Sequence, residues 1–360
     1  MHERHEGTVD RGGRIGHFLQ SCVNESRLTI LPSPMPSSPL ATSPPSTSPV
    51  ATSAAAGSPI SPSLVPLSPV PILKAYDRAM LLDRAQLKTL DDFPQAQAIA
   101  RDLQAIRLSR GEKHLGYKIG FTNRGIWPLY GVSRPIWAPV YDTTVMQLPG
   151  HTAQLGLHRF VQPRLEPEIV IGMASTPADT SIEALTDAIA WVAHGFEVVQ
   201  SHFLDWKFSA AEAHACQGLH GCLLIGPRAS PSQFSEPLAQ ALSGAKLVLA
   251  KFVASNHVLS RQGAGDFKVM AQGQGANVLD GPIQALAFLA KSLAEQGETL
   301  KAGQMITTGT LTDAMPIAAG ELWRTQWVSS VKGRQKITNK VPQEEPDLAF
   351  ALSGLELRLT

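Results

Sequence analysis

The sequence predicts an α+β fold with a large β-rich part. Strand-like apolar runs multiply after about residue 151, and the helical segments between them are few. The regular strand–helix alternation of a parallel α/β sheet is absent. The chain has 360 residues and a hydrophobic fraction of 43%, which is enough for one large domain with a real core and a smaller one.

The first part of the chain, residues 1–72, is predicted to be a disordered extension. Residues 31–72 form a Pro/Ser/Thr/Ala-rich tract without periodicity, and such a tract has little apolar surface to bury. A semi-rigid spacer, a docking tail and translation from a start codon placed too far upstream are the alternatives. We expect folding and activity to survive removal of this segment.

Residues 73–150 are predicted to form a small N-terminal α/β part. Two helices are expected at its start, and in the second Ala96, Ile99 and Leu103 recur at helical spacing before Gly111 ends the run. The next stretch, LGYKIGFTN, is predicted to be a short strand that leads into a turn.

Residues 151–360 are predicted to form the β-rich part, which carries the chemistry. The predicted helices are 181–194, 231–243 and 281–297. The predicted strands are 168–173, 197–203, 222–227, 246–255, 304–309, 321–328 and 356–360.

Charge and cysteine content favour a small-molecule partner and a cytoplasmic location. The net charge is +1, from 31 basic and 30 acidic residues, which gives no reason to expect a nucleic-acid or membrane-surface partner. No signal peptide or membrane span is expected. Cys22, Cys216 and Cys222 are predicted to be structural thiols in a reducing compartment, although the last two could pair or bind metal.

The most informative residues stand in the segment QPRLEPEIVIG. Glu166 and Glu168 are two residues apart, so on a strand both point to the same face. Two such carboxylates repel unless a cation or a proton lies between them, and Mg²⁺ or Mn²⁺ prefers oxygen ligands. Pro167 between them predicts a strand edge or a bulge. Two exposed glutamates on one strand face are the alternative interpretation.

Glu197 and Lys118 are further candidates. Glu197 is flanked by apolar residues, so it is either buried with a partner or a metal ligand. Lys118 in GYKIG is either an exposed strand lysine or an ammonium in a pocket. In a pocket it could bind a carboxylate, or move protons once its pKa is lowered.

Other catalytic patterns are missing from the sequence. It has no G-x-S-x-G elbow, no phosphate loop and no H-E-x-x-H arrangement. The glycine-rich run GQGANVLDG is expected to open the helix that begins near Pro282. His194 and His202, near Glu197, are interpreted as ordinary surface groups or as groups behind the ligands.

Five segments stand in order along the chain: GYKIGFT, QPRLEPEI, FEVVQSHFLDWKF, GQGANVLDGPIQALAFLA and ITTGTLTDAMPIAAGE. Together they resemble the 2-keto-4-pentenoate hydratase and 4-oxalocrotonate decarboxylase group of the fumarylacetoacetate hydrolase superfamily. The resemblance covers roughly residues 75 to 360, and implies the superfamily's mixed β-rich fold.

The resemblance implies a role for each candidate. Glu166, Glu168 and Glu197 match the family's ligands for a divalent metal, Mg²⁺ or Mn²⁺. The residues that it places in the catalytic site are Lys118, Asp142 and Ser201. It also implies a 2-hydroxydienoate or 2-oxo-enoate substrate, and a homo-oligomer, with assembly with a related decarboxylase as an alternative.

One stretch departs from the family pattern. Residues 213–221 read AHACQGLHG where the family usually carries A-D-N-A-S, so that Cys216 and Gln217 replace an acid and an amide. Gln200 also stands in place of an acid, and the usual Ser-Arg pair is Ser201-His202. These changes spare the three acids and put the substrate in question.

The function predicted first is a metal-dependent hydratase in the catabolism of aromatic ring-cleavage products. The metal would act as a Lewis acid on the 2-oxo acid, and Lys118 or an acid beside it would move a proton. The alternatives are a decarboxylase on the same scaffold, an acylpyruvate hydrolase and a non-catalytic subunit that partners an active homologue.

Overall fold

The structure is a computed structural model that describes residues 68–87, 90, 92–254, 265–328 and 351–360. Most of the predicted disordered extension, residues 1–72, lies outside this part of the chain, as does Cys22. The first described helix begins at Val70, slightly before the predicted start of the ordered protein at residue 73.

The helices form where an apolar face coincides with a start signal. In chain order they are α1 (Val70–Arg78), α2 (Phe93–Ser109), α3 (Trp127–Tyr130), α4 (Ile182–Asp187), α5 (Ala210–Ala215), α6 (Leu238–Gly244) and α7 (Pro282–Ala294). In α2 the predicted face Ala96, Ile99 and Leu103 is buried. Gly111 follows the end of that helix with a φ of 90°, a left-handed value that favours glycine.

The described strands form two sheets. In chain order they are β1 (His114–Gly120), β2 (Ile136–Tyr141), β3 (Val145–Gln147), β4 (Thr152–Leu155), β5 (Arg164–Met173), β6 (Ile189–Val199), β7 (His220–Ala229), β8 (Lys246–Ala254), β9 (Gly265–Gln274), β10 (Met305–Thr310), β11 (Met315–Pro316), β12 (Leu322–Val328) and β13 (Glu356–Leu359). The larger sheet runs in the order β2, β1, β10, β5, β6, β7, β3, with β11 beside β5. The smaller one runs in the order β4, β13, β12, β8, β9.

The pair β5–β6 separates the main core from a second face, which carries the acidic residues beside a small apolar cluster that includes Val170 and Ala193. Leu165 and Ile169 of β5 and Phe196 and Val198 of β6 are buried in the main hydrophobic cluster, which also includes α7. Because side chains alternate along a strand, the residues between these positions point to the opposite side of the sheet. The acidic residues lie on that opposite side.

The prediction of a helix over residues 181–194 was wrong for its second half. Ser181 caps the short helix α4 as a hydrogen-bond acceptor, and the chain then enters β6 at Ile189. Nearly every residue of β6 is buried, so its apolar run has no two-residue alternation. The sequence of such a run does not distinguish a buried helix from a buried strand. The pairing with β5 and β7 makes this segment a strand.

The mixed α+β class and most of the predicted strands are confirmed, but the strand predicted over residues 197–203 overlaps only the last three residues of β6. The strands β2, β3, β4, β9 and β11 were missed. Of these, β9 is half exposed and carries few apolar residues, so it lacks a strand signal. The expected helix near Pro282 is present as α7.

The predicted division at residue 150 stays a prediction. Strands from both sides of it share the larger sheet, because β1 pairs with β10 and β3 pairs with β7. Within the described part of the chain, no helix has both the length and the apolar character needed to cross a membrane.

Candidate metal centre and cavity

The pairing of β5 with β6 brings three acidic side chains together. Glu166 lies directly opposite Glu197 in the antiparallel register, so both side chains point to the same face. Glu168 shares this face because it is two residues further along β5. One carboxylate oxygen from each residue lies within 4.8 Å of the others. The structure thus places together the three acids that the sequence singled out.

Glu168 has one satisfied oxygen and one unsatisfied oxygen. Its Oε2 accepts hydrogen bonds from the Thr307 hydroxyl and, at 2.9 Å, from the Gly309 backbone N–H. The residue is completely buried, and its Oε1 has no hydrogen-bond partner among the described residues. A buried carboxylate oxygen without a partner is costly. A hard divalent cation is the group that would satisfy it, so these donors fit Mg²⁺ or Mn²⁺.

Gly309 reaches Glu168 through a backbone conformation that favours glycine. Its φ is 111°, and a Cβ there would collide with the side chain of Thr122. The glycine therefore lets the end of β10 approach the carboxylate closely.

Lys118 and His220 hold the two oxygens of Glu197. The Lys118 Nζ lies 3.0 Å from Oε2, and the His220 Nδ1 lies 2.7 Å from Oε1. All three side chains are almost inaccessible to solvent. Lys118 is thus not the exposed strand lysine of the alternative interpretation.

The pKa values of this group follow from burial and mutual charge. Burial opposes ionisation of Glu197, but Lys118 and His220 overcome it and bring the pKa of Glu197 to about 2. Burial also opposes the charge on Lys118, yet the three surrounding glutamates raise its pKa. The expectation that the pKa of Lys118 is lowered was therefore wrong, because it considered desolvation and not the acids across the sheet.

The pKa values of the other two acids, Glu166 and Glu168, are raised. Burial, followed by repulsion from Glu197, raises the pKa of Glu168 well above its usual value. Burial raises the pKa of Glu166 to about 7, and Glu197 adds to the rise against the attraction of Lys118. The two nearby cations, Lys118 and Arg164, therefore do not compensate the three carboxylates, of which Glu168 and Glu197 are fully buried. This is the electrostatic condition for cation binding.

A cavity of about 250 Å³ lies beside the cluster, and both Lys118 and Glu166 line it. Most of the remaining wall is aromatic or aliphatic, and includes Phe121, Tyr130, Trp206, Phe208, Ile136 and Leu219. A small acid with an apolar body would fit such a wall.

Arg164 is the second cation that lines the cavity. Its guanidinium carbon lies 4.0 Å from the centre of the Trp206 ring, and it forms no ion pair with any described residue. Arg164 shares the face of Glu166, two residues away on β5, which corresponds to about 7 Å along the strand. A planar guanidinium held in this way is suited to bind a carboxylate.

A strained turn holds Trp206 in the cavity wall. Gln162, Asp205 and Trp206 all have positive φ values, of 49°, 57° and 59°. The Gln162 side-chain amide donates to the carbonyl oxygens of Ser201 and Phe203, while the Gln162 backbone oxygen accepts from the Trp206 ring N–H. Such strain is often found at functional sites.

Two of the predicted catalytic residues do not reach the cavity. The Ser201 hydroxyl is buried, and its hydrogen bonds within the described part of the chain go to the backbone of Phe203, so it shapes the strained turn. Asp142 is exposed, and its carboxylate accepts a hydrogen bond from the backbone N–H of Lys113. The structure thus gives both residues positions that stabilise turns and does not bring them to the acids.

The unusual stretch 213–221 contributes less to the cavity than expected. Gly218 and Leu219 line it, whereas the Gln217 amide oxygen accepts from Arg107. Cys216 and Cys222 are free thiols, as predicted. His194 and His202 are buried rather than on the surface.

The comparisons with known proteins agree with this geometry. A family model described as fumarylacetoacetate (FAA) hydrolase C-terminal matches residues 134–341. The chain belongs to this family. A 4-oxalocrotonate decarboxylase from a Pseudomonas species is 30% identical over 228 residues, which are 63% of the chain and 79% of that protein. A 2-hydroxyhexa-2,4-dienoate hydratase from Comamonas testosteroni is 29% identical over 246 residues, which are 68% of the chain and 84% of that protein.

A solved structure confirms the fold. The 4-oxalocrotonate decarboxylase from Pseudomonas putida G7, complexed with magnesium and adipate, matches with a TM-score of 0.65 at 21% identity. The match covers 81% of the chain and 95% of that protein. The mixed β-rich fold implied by the sequence resemblance is therefore confirmed. The relatives include both hydratases and decarboxylases, so the family by itself does not select the reaction.

Sequence reasoning missed two residues of the site. Arg164 stands in the segment QPRLEPEIVIG together with Glu166. The two-residue alternation that places Glu166 and Glu168 on one strand face also places Arg164 there. His220 precedes a predicted strand, but its contact with Glu197 depends on the β6–β7 register, which has an irregularity next to it.

Proposed function

We propose that the chain is a divalent-metal-dependent hydratase that adds water to a 2-hydroxydienoate or its 2-oxo-4-enoate tautomer. The observation that carries the proposal is the cluster of Glu166, Glu168 and Glu197 beside Lys118 and an apolar-walled cavity. Glu166, Glu168 and Glu197 would hold Mg²⁺ or Mn²⁺, which supplies Lewis acidity toward the oxygens of a 2-oxo acid.

Charge balance supports a substrate with one carboxylate. The three glutamates, the Lys118 ammonium and a doubly charged cation together carry no net charge. Arg164 is the second cation among the described residues that line the cavity, and its charge also acts on Glu166. The exposed Asp313 is a further acid of the same wall, so the cavity offers one guanidinium for a substrate carboxylate and has no cation for a second, which favours a monocarboxylic acid.

The chain's own residues have separate tasks in this proposal. Lys118 lies beside Glu197 and lines the cavity, so its Nζ can donate to an oxygen of the substrate. Arg164 orients the substrate through its carboxylate. The apolar wall excludes water from most of the cavity and leaves a reacting water near the polar groups.

Decarboxylation of a 2-oxo-3-enedioate of the 4-oxalocrotonate type is the second candidate. A departing carboxylate is destabilised where no cation compensates it, and the aromatic wall around Phe121, Tyr130 and Phe208 offers such an environment. The presence of all three acids together with Lys118 argues against a non-catalytic subunit. An acylpyruvate hydrolase has no specific support in the cavity.

Turnover with product analysis tests the proposal. Metal-stripped protein receives Mg²⁺ or Mn²⁺ and either 2-hydroxypenta-2,4-dienoate or 2-oxohex-3-enedioate, and ultraviolet absorbance follows loss of the conjugated system. We expect metal-dependent formation of a 4-hydroxy-2-oxo acid from the first substrate. Release of CO₂ from the second without hydration of the first would establish the decarboxylase instead. Glu168→Ala serves as the inactive control.

Assembly and location remain predictions. A homo-oligomer and a cytoplasmic location are inferred from the sequence and its resemblance. Light scattering on the purified chain, alone and with a related decarboxylase, measures the oligomeric state.

A further inference from the structure

We propose that His220 is a positioning residue that fixes the orientation of Glu197 as a metal ligand. This inference rests on the metal site of the proposed function and adds a residue to it. The His220 Nδ1 lies 2.7 Å from Oε1 of Glu197, and its Nε2 lies 3.0 Å from the Thr144 hydroxyl oxygen. Both ring nitrogens are therefore engaged, and the ring is held from two sides.

The contacts of Glu197 show why its orientation depends on this ring. Lys118 lies beside Oε2 and His220 beside Oε1, so each oxygen has its own neighbour. Glu197 is completely buried, so in the intact site its carboxylate is held by these neighbours and not by bulk water. A long glutamate side chain that loses one of two such contacts can rotate about its terminal bonds. The ligand oxygen would then no longer be held toward Glu166 and Glu168.

The hydrogen bond has a defined direction. A glutamate that binds a metal does so as a carboxylate, which can only accept a hydrogen bond, so in this role the His220 Nδ1 carries the proton that it donates. With a neutral ring, Nε2 is an acceptor for the Thr144 hydroxyl, whose single proton also faces the Tyr141 backbone oxygen at 3.1 Å. Thr144 also accepts from the Tyr141 backbone N–H, so the turn between β2 and β3 anchors the ring.

The other buried histidines differ from His220. His194 bonds to the backbone oxygen of Glu168 and to a threonine hydroxyl, and His202 bonds to the backbone oxygen of Met80. His214 packs against Phe93, and its Nδ1 has no hydrogen-bond partner among the described residues. Of these four histidines, only His220 contacts a carboxylate of the cluster. It also lies within residues 213–221, the stretch that departs from the family pattern.

The test is Mn²⁺ binding by isothermal titration calorimetry on metal-stripped, full-length protein. His220→Phe keeps a buried ring and removes the donor, and we expect the Kd for Mn²⁺ to rise about 10- to 100-fold, as for other groups behind metal ligands. His220→Asn keeps an N–H donor near the position of Nδ1, and should recover most of the affinity. His214→Phe is the matched control in the same segment, with an unchanged Kd. Circular dichroism and melting without metal show whether each variant is folded.

The outcomes separate this inference from the proposed function. Wild-type affinity in folded His220→Phe would overturn the positioning role, as would an equal loss in His220→Asn and His220→Phe. Absence of Mn²⁺ binding in the wild type would instead overturn the metal site. If His220→Phe does not fold, Thr144→Val tests the same role, because it frees the ring at Nε2. That variant should raise the Kd by about 2- to 10-fold, and an unchanged Kd would overturn the inference.

Discussion

The two faces of β5–β6 are built from the same strands and differ in how completely their polar groups are satisfied. On the core face, both ring nitrogens of His194 have partners, in the Glu168 backbone oxygen and the Thr325 hydroxyl. On the opposite face, Glu168 keeps a buried oxygen without a partner among the described residues. A satisfied polar group stabilises the fold, whereas an unsatisfied carboxylate marks a place for a ligand. The difference predicts that substitutions on the two faces affect different measurements.

The largest effect is expected on the carboxylate face. Glu168→Gln should abolish Mn²⁺ binding and lower kcat/KM by about three orders of magnitude, because a metal contributes several kcal/mol to such a reaction. Stability of the metal-free protein should be unchanged or higher, since a neutral amide is cheaper to bury than a carboxylate. Calorimetry and urea unfolding measure the two properties. Metal-dependent activity in this variant would contradict the assignment of Glu168 as a metal ligand, and with it the proposed difference between the two faces.

Thr325→Val tests the core face. It removes the partner of His194 Nε2 and of the Leu355 N–H, both of which are buried. We expect the free energy of unfolding to fall by about 2–4 kcal/mol, because two buried groups lose their hydrogen bonds. The Kd for Mn²⁺ should not change. A parallel loss of metal affinity would show that the two faces are coupled through β5.

Arg164→Met tests the substrate contact on the carboxylate face. Loss of a charged hydrogen bond of about 1.5–3 kcal/mol should raise KM roughly 10- to 100-fold and leave metal affinity unchanged. Arg228→Met is the matched control, because Arg228 lies 4.2 Å from the Trp191 ring centre and does not line the cavity. Equal changes in KM for the two variants would contradict the carboxylate-binding role.

His214 gives a smaller effect that depends on pH. Burial and then Arg134 lower the pKa of His214 to about 4. Because the folded pKa lies below the unfolded value, the unfolded chain binds protons first as the pH falls. Stability is therefore fully present above about pH 6.5 and is lost toward pH 4. Between pH 7.5 and pH 5, protonation of His214 in the unfolded chain should lower the free energy of unfolding by about 2 kcal/mol.

Urea unfolding of wild type and His214→Phe at these two pH values measures the effect. On acidification the free energy of unfolding should fall less in the variant than in the wild type, and the difference should be about 2 kcal/mol. An equal loss in both proteins would show that His214 titrates normally in the folded state.

Local patterns explain what the sequence predicted well. The two-residue spacing of Glu166 and Glu168 fixed their common face, and the spacing of Ala96, Ile99 and Leu103 fixed the buried side of α2. The convergence of Glu197 with both acids depends on strand register across a long separation, and only the family resemblance supplied it. Asp142 matched an acid by its place in the chain order, and its exposed turn keeps it from the acids.

Other features were not predictable because their physical cause is tertiary. The β6 segment carries no alternation since both of its faces are buried, so its local sequence could not exclude a helix. The raised pKa of Lys118 reflects charges on two other strands. The contact between His220 and Glu197 likewise requires the register of β6 and β7.

The position of β13 has a consequence for how the chain folds. This strand pairs in parallel with β4 and in antiparallel fashion with β12, and so joins two strands that are not otherwise neighbours in the smaller sheet. About 200 residues separate β4 from β13, so this sheet closes only after most of the chain has collapsed. Until then β4 and β12 each present an open backbone edge. At high protein concentration, refolding is therefore expected to fail by aggregation through these edges. This failure should precede any disruption of the metal-binding face.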